Sequence, residues 1–250
     1  MSKINSTTVN RLRFLYGSLS YLFGVERFGH LFAKRIFWRA NTEEPVVALS
    51  FDDGPHPIFT PGVLNILDKH DIRATFFLIG RNVEARPELA RQILDKGHEI
   101  GNHTYTHATL PRIEDHAVIS EIRTTSDVIA HACGGLTTLL RPPRGLFSRR
   151  VINLIEANGH KTTIGDVYPR DTTLPGAPVI IQRVLRRVRA GSVIILHEGF
   201  SFENGDRTQT MESLKSIVPE LKKRGFQFKT ISELIEFDQN DGHNRTGPPE

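Results

Sequence analysis

The residues of this 250-residue chain best suited to do chemistry are two adjacent carboxylates, Asp52 and Asp53, two histidines four positions apart, His103 and His107, one arginine, Arg141, and a further histidine, His197. Asp52 and Asp53 close the apolar run Val46–Phe51, and Gly54-Pro55 follows them. That order reads as a buried strand ending in a tight turn. Ionised carboxylates resist desolvation, so a pair at a strand end calls for a role: one to bind a cation, the other to accept a proton. The His-x-x-x-His spacing puts two imidazoles on one side of a helical turn. Two imidazoles and one carboxylate leave open positions on a divalent metal, which suits zinc hydrolysis and also iron(II) oxygen chemistry. Asp53 is the carboxylate assigned to the metal, and Asp52 is free to take a proton from activated water. Arg141 holds and directs Asp52, and His197, arriving from the opposite side, protonates a leaving amine.

Taken singly, each of these residues is ordinary. A surface helix often produces His-x-x-x-His, an Asp-Asp pair is usually a turn or a helix cap, Arg141-Pro142-Pro143 makes a rigid turn, and His197 fits a satisfied core histidine. Their shared position in the pattern of elements sets them apart. From Glu44 onward, short apolar runs (46–51, 74–79, 99–101, 138–140, 162–164, 193–196 and 226–230) alternate with segments of helical spacing (61–70, 87–96, 114–131, 148–158, 178–189 and 208–224). Gly97, Gly159, Gly191 and Gly225 supply helix stops, and Pro61, Pro87 and Pro178 fit first-turn positions. Seven strand-like runs separated by helices predict a parallel sheet closed as a distorted (β/α) barrel of about seven strands. Asp52 and Asp53 end the first run, and His103 ends the third with His107 just beyond. Arg141 ends the fourth, Asp166 and Asp171 follow the fifth, and His197 ends the sixth. In a parallel barrel these ends share one face, where active sites are built.

The bulk properties narrow the class. With 38% hydrophobic and 24% charged residues, the composition is that of a soluble globular chain. Cys133 is the only cysteine, so an internal disulfide and a cysteine-based zinc site are excluded. Residues 1–40 hold Lys3, Arg11, Arg13, Arg27, Lys34, Arg35 and Arg39 against Glu26 alone, a net +6, so the other 210 residues carry −2 of the chain's +4. Basic character is thus confined to an N-terminal arm, and no nucleic-acid partner is expected. The expected organisation is a basic, aromatic-rich extension over 1–43, a catalytic domain over 44–237 and a disordered polar tail over 238–250. The uncharged run 14–25 is shorter than the roughly 20 residues of a membrane span. The arm therefore reads as packing on the body, or as a peripheral membrane contact through residues 11–40. The expected location is the cytoplasm, with secretion or N-terminal anchoring as the lesser alternative.

The residues also carry a resemblance. Ser50-Phe51-Asp52-Asp53-Gly54-Pro55, His103-Thr104-Tyr105-Thr106-His107, Arg141-Pro142-Pro143-Arg144-Gly145 and Ile195-Leu196-His197 resemble four motifs of the polysaccharide deacetylase family, also called the NodB homology domain or carbohydrate esterase family 4. The resemblance covers roughly 44–237. It implies amide hydrolysis on N-acetylated sugars, as oligosaccharide, polysaccharide or lipid-linked sugar. It implies Asp52 as base, Asp53, His103 and His107 as metal ligands, Arg141 orienting the base and His197 as acid. The backbone N–H of Arg144 would share in stabilising the oxyanion, and Asp171 would support His197 or Arg141. The implied cofactor is a divalent ion, zinc first, with cobalt or another divalent ion as the alternative. Four positions depart from the family pattern: Tyr168 and Thr172 in the fourth motif, Arg144 where the third has an aromatic, and Glu198 where an aspartate often follows the acid. Arg144 and Arg170 would suit an anionic substrate. Two other readings keep parts of this picture: an amidohydrolase of a non-sugar amide, and a carbohydrate- or membrane-binding protein with a decayed site.

Overall fold

The computed structural model describes residues 35–200 and 205–244. The membrane contact expected of residues 11–40 falls mostly outside the described residues. Among the described residues no helix is long and apolar enough to cross a membrane.

Eight strands form one sheet: β1 (Ile36–Phe37), β2 (Val46–Gly54), β3 (Thr75–Leu78), β4 (Glu99–Asn102), β5 (Leu139–Leu140), β6 (Lys161–Thr163), β7 (Val193–His197) and β8 (Gln227–Lys229). Their order is β1-β6-β5-β4-β3-β2-β7, with β8 paired to the start of β2, and every ladder is parallel. The helices between and after them are α1 (Phe59–Lys69), α2 (Gly80–Ala85), α3 (Pro87–Asp95), α4 (Asp115–Cys133), α5 (Arg149–Ala157), α6 (Ala177–Arg187), α7 (Thr208–Lys223) and α8 (Ile231–Asn244). Closure is made by isolated bridges, Arg39 with Ser192 and Val167 with Ile194, and by the Ala40 N–H donating to Gly191 O at 2.9 Å. The result is a distorted (β/α) barrel, as the alternating pattern predicts.

β2 shows why the sequence folds this way. All nine of its residues are buried, because helices cover one face of the strand and the barrel interior covers the other. Val47, Leu49 and Phe51 pack outward with Val63, Leu64 and Leu67 of α1. Val46 and Ala48 point inward with Phe77 and Val193. Each large apolar side chain buried here is worth about 1.5–3 kcal/mol. The same two-residue alternation turns Ser50 and Asp52 inward, so the first carboxylate emerges inside the barrel mouth. Helix ends follow local chemistry. The Ser148 hydroxyl accepts from Val151 N at 3.2 Å at the start of α5, and Gly134, at φ +73°, ends α4.

The structure adds three elements to those the periodicity predicts. β1 is two residues long and lies in the stretch read as an extension; it enters the sheet beside β6. α2 has only six residues, of which Gly80 and Val83 are buried, too few to show a helical period. α8 buries Ile231 and Leu234 against the barrel and continues through Asn244. It thus carries helix into the segment 238–250 that polarity marks as disordered, because the apolar contact at its start anchors the turns that follow.

Candidate active site

The first carboxylates are placed by a break in β2. The β2–β3 register shifts between Asp52 and Gly54, and Asp53 takes φ +73°. Such a conformation costs roughly 1–2 kcal/mol for a residue with a side chain. The reversal lets adjacent carboxylates serve one pocket. His107 (φ +61°) and Arg144 (φ +61°) are also left-handed, as is Thr104 (φ +66°). Backbone strain concentrated in this way is a mark of functional sites. It also changes one expectation: His103 to His107 is not a helical turn. The segment is a loop, held to α2 by Gly80 N–H donating to Thr104 O (3.0 Å) and Arg81 N–H to Tyr105 O (3.2 Å). The two imidazoles still meet, with ring centroids 5.1 Å apart.

Asp53, His103 and His107 converge. Oδ1 of Asp53 lies 3.4 Å from Nε2 of His103 and 3.3 Å from Nε2 of His107. Two ligands bonded at about 2.0–2.1 Å in tetrahedral directions stand roughly 3.3–3.4 Å apart, so the spacing fits a small divalent ion. Oδ1 of Asp53 is buried and makes no hydrogen bond. Nδ1 of His103 is 2.7 Å from the carbonyl of Arg141. A carbonyl only accepts, so Nδ1 carries the proton and Nε2 presents its lone pair to the pocket, the usual arrangement for a metal-binding histidine. Burial, and then the neighbouring His103, push the pKa of His107 down to about 3, which keeps it a neutral ligand. For Asp53, burial favours the neutral form, but the surrounding imidazoles of His103, His197 and His107 outweigh it, and the group is held well below the usual carboxylate range. These three residues fit the ion that the sequence calls for.

Asp52 stands beside them. Its Oδ1 accepts from Arg141 Nη1 at 2.6 Å, and its Oδ2 is 4.0 Å from Nε2 of His103. Arg141 is 2% exposed and is held by a frame: Ser50 Oγ accepts from Nη1 at 2.8 Å, the Ile164 carbonyl accepts from Nη2, and the Phe77 ring lies 4.1 Å beneath the guanidinium. Ser50, a polar residue inside an apolar run, is the sequence signal for this frame.

On the other side, His197 pairs in register with Asp52 across β2 and β7. Asp171 accepts from both the backbone N–H (2.8 Å) and Nδ1 (2.9 Å) of His197. Of the two partners considered for Asp171, the structure therefore selects His197. Asp171 is fully buried and also accepts from Thr210 Oγ1 at 2.9 Å. Burial lowers the pKa of His197, but Asp171, through charge and hydrogen bond, more than offsets this, with Asp53 and Asp52 adding to the rise. Asp166 plays a different part: it caps the start of β7 by accepting from Val193 N and Ser192 Oγ.

The sequence profile of the polysaccharide deacetylases matches residues 39–163. The chain belongs to the polysaccharide deacetylase family. It is 35% identical to a peptidoglycan-N-acetylglucosamine deacetylase of Bacillus cereus over 81% of this chain and 93% of that protein. It is 37% identical to a chitooligosaccharide deacetylase of Bradyrhizobium over 75% of this chain and 90% of that protein. The crystal structure of the Bc1960 peptidoglycan N-acetylglucosamine deacetylase superposes with a TM-score of 0.78, at 29% identity, over 81% of this chain and 94% of that one.

The residues in which this polysaccharide deacetylase departs from the family motifs have definite places. The Tyr168 ring lies 5.9 Å from that of His197, and its hydroxyl is 3.0 Å from Thr172 Oγ1. The guanidinium of Arg144 is turned onto its own site, donating to His107 O and Thr109 Oγ1, both at 3.1 Å. It braces the strained histidine loop. Glu198 is fully buried and accepts from Thr60 Oγ1, and burial raises its pKa to about 8. Arg207, buried beside Asp53, and Asn82, which donates to the Asp53 carbonyl at 2.9 Å, belong to the site although no motif signals them.

Proposed function

We propose that this chain is a metal-dependent hydrolase that removes N-acetyl groups from amino sugars of a glycan, with N-acetylglucosamine oligomers as the substrate class. The observation that carries this reading is the joint one. An Asp-His-His set with zinc-like spacing, its Asp53 and His103 buried and its His107 half-buried, is flanked on one side by a carboxylate fixed by arginine and on the other by a histidine fixed by aspartate. The names of the relatives, deacetylases of peptidoglycan and of chitooligosaccharides, supply the substrate class.

Asp53, His103 and His107 would hold the ion. When bound, a divalent ion polarises the amide carbonyl and lowers the pKa of water from 15.7 toward ~7. Asp52 takes a proton from the attacking water through Oδ2, while Arg141 occupies Oδ1 and fixes the carboxylate's direction. The water oxygen bonds to the acyl carbon, and the backbone N–H of Arg144 is assigned to the oxygen that becomes negative; one such donor is typically worth about 3–4 kcal/mol. His197 starts protonated because of Asp171. With Nδ1–H spent on that aspartate, the proton on Nε2 goes to the amide nitrogen as the C–N bond breaks. The products are acetate and a free amino sugar, and proton return from Asp52 to His197 through solvent restores the site.

The test is acetate release from N-acetylglucosamine oligomers, with and without a chelator, beside elemental analysis of the purified protein. Chelator-sensitive release with about one metal per chain is expected. Absence of release from any acetylated sugar oligomer, with the metal present, would move the activity to other amides.

A further inference from the structure

Asp53 has two oxygens, and the structure gives them different company. Oδ1 faces His103 and His107. Oδ2 faces Arg207, whose Nη2 is 3.8 Å away. Arg207 is only 4% exposed, an unusual burial for a guanidinium and one that demands partners. Among the described residues it meets Oδ2 of Asp53, the Gly199 carbonyl, which accepts from Nε at 3.1 Å, and the Phe200 ring, whose centroid lies 4.0 Å from the guanidinium carbon. The same strand-end segment packs directly on Asp53. A Cβ at Gly199 would stand 2.2 Å from the Asp53 carbonyl oxygen, so only glycine fits there. Asn82 Nδ2 then ties the two segments together, donating to Asp53 O at 2.9 Å and to Phe200 O at 3.1 Å. Arg207 is thus a fixed charge in a frame built around the strained Asp53.

We propose that Arg207 is a positioning residue that claims Oδ2 of Asp53 and so keeps this carboxylate a one-oxygen ligand, leaving the remaining positions on the ion to water and substrate. The inference rests on the metal-site reading given above. A carboxylate can ligate through one oxygen or two, and a catalytic ion needs its open positions. A cation beside the second oxygen opposes two-oxygen binding. It also lowers the affinity for the ion, since like charges this close repel. The site would thereby exchange some metal affinity for an open coordination sphere.

That exchange sets the test, which uses the full-length protein stripped of metal and titrated with Co²⁺ alone, in the wild type and in Arg207→Gln. In the variant, Co²⁺ should bind tighter by about threefold to tenfold. Its visible absorption band should weaken as the coordination number rises. After reloading, acetate release from N-acetylglucosamine oligomers should fall about 10- to 100-fold in kcat. Tighter metal with slower turnover is the signature. A residue that merely supports the fold would lose both together, and that result would overturn the proposal, as would a cobalt spectrum identical to that of the wild type. Arg207→Lys keeps the charge and covers the case in which the glutamine variant does not fold. It should retain a band of wild-type intensity, and a weakened band would overturn the proposal. If the wild type itself takes up no stoichiometric Co²⁺, the metal-site reading fails first, and the role of Arg207 fails with it.

Discussion

Nδ1 of His197 lies 2.9 Å from Oδ1 of Asp171, and the second oxygen of the same carboxylate accepts from the His197 backbone N–H at 2.8 Å. One buried aspartate thus fixes the ring's position, its tautomer and its charge. The contact spans 26 residues of sequence and joins the loop after β6 to the end of β7. In the proposed mechanism His197 is therefore the acid, and Asp52, whose Oδ1 accepts from Arg141, is the base.

The first prediction concerns pH. Burial lowers the pKa of His197 and Asp171 raises it further than burial lowers it, so an acid that must start protonated stays active to higher pH with Asp171 than without it. In Asp171→Asn the alkaline limb of the kcat/KM profile should move toward lower pH. The acidic limb should hold its place. An alkaline limb that does not move would show that His197 is not the group titrating there.

Asp52→Asn separates base from ligand. The amide keeps the shape beside Arg141 but accepts a proton poorly, so turnover should fall by about 10²–10⁴-fold. Metal content should remain near one per chain, because Asp53, His103 and His107 are untouched. In contrast, His103→Ala should lose metal as well as rate, since ligand removal acts on binding. Elemental analysis of both variants is the check. Equal metal loss in the two would mean that Asp52 is a ligand.

Much of this arrangement was legible in the chain because strands buried on both faces read as near-continuous apolar runs, as Val46–Phe51 and Val193–Leu196 do. The polar residues at their ends then had one face to share. Other parts had no such signature. β1 is too short to show a period, and its place beside β6 depends on pairing with a segment more than 120 residues away. The histidine spacing suggested a helix because four residues make about one helical turn, whereas here left-handed residues at Thr104 and His107 bring the rings together. Arg207 lies outside every motif, and only burial next to Asp53 reveals it. Asp171 could be placed in the site from sequence, but the choice between His197 and Arg141 as its partner needed coordinates.

Glu198 gives a stability prediction with a definite sign. Burial raises its pKa to about 8 from an ordinary 4.5. Below pH 4.5 the folded and unfolded chains both hold the proton. Between about 4.5 and 8 only the folded chain holds it, so the contribution of this group to stability is lost steadily as pH rises through that window. Glu198→Gln keeps the neutral shape and removes the titration. In metal-free protein, the Tm of the variant relative to the wild type should therefore rise from pH 5 to pH 8. A constant difference across that range would mean that Glu198 is ionised in the folded protein.

Gly54 tests the packing beneath the same carboxyl. A Cβ at this position would stand 1.6 Å from Oε1 of the fully buried Glu198. Gly54→Ala alone should therefore destabilise the fold by about 1–3 kcal/mol or more, read as a lowered midpoint in urea. The obstacle is a side chain, so shortening it should relieve the clash. Gly54→Ala combined with Glu198→Ala should be more stable than the sum of the two single changes predicts, with a coupling of about 0.5–3 kcal/mol. Strict additivity would show that the glycine is required by the turn's backbone and not by the buried carboxyl behind it.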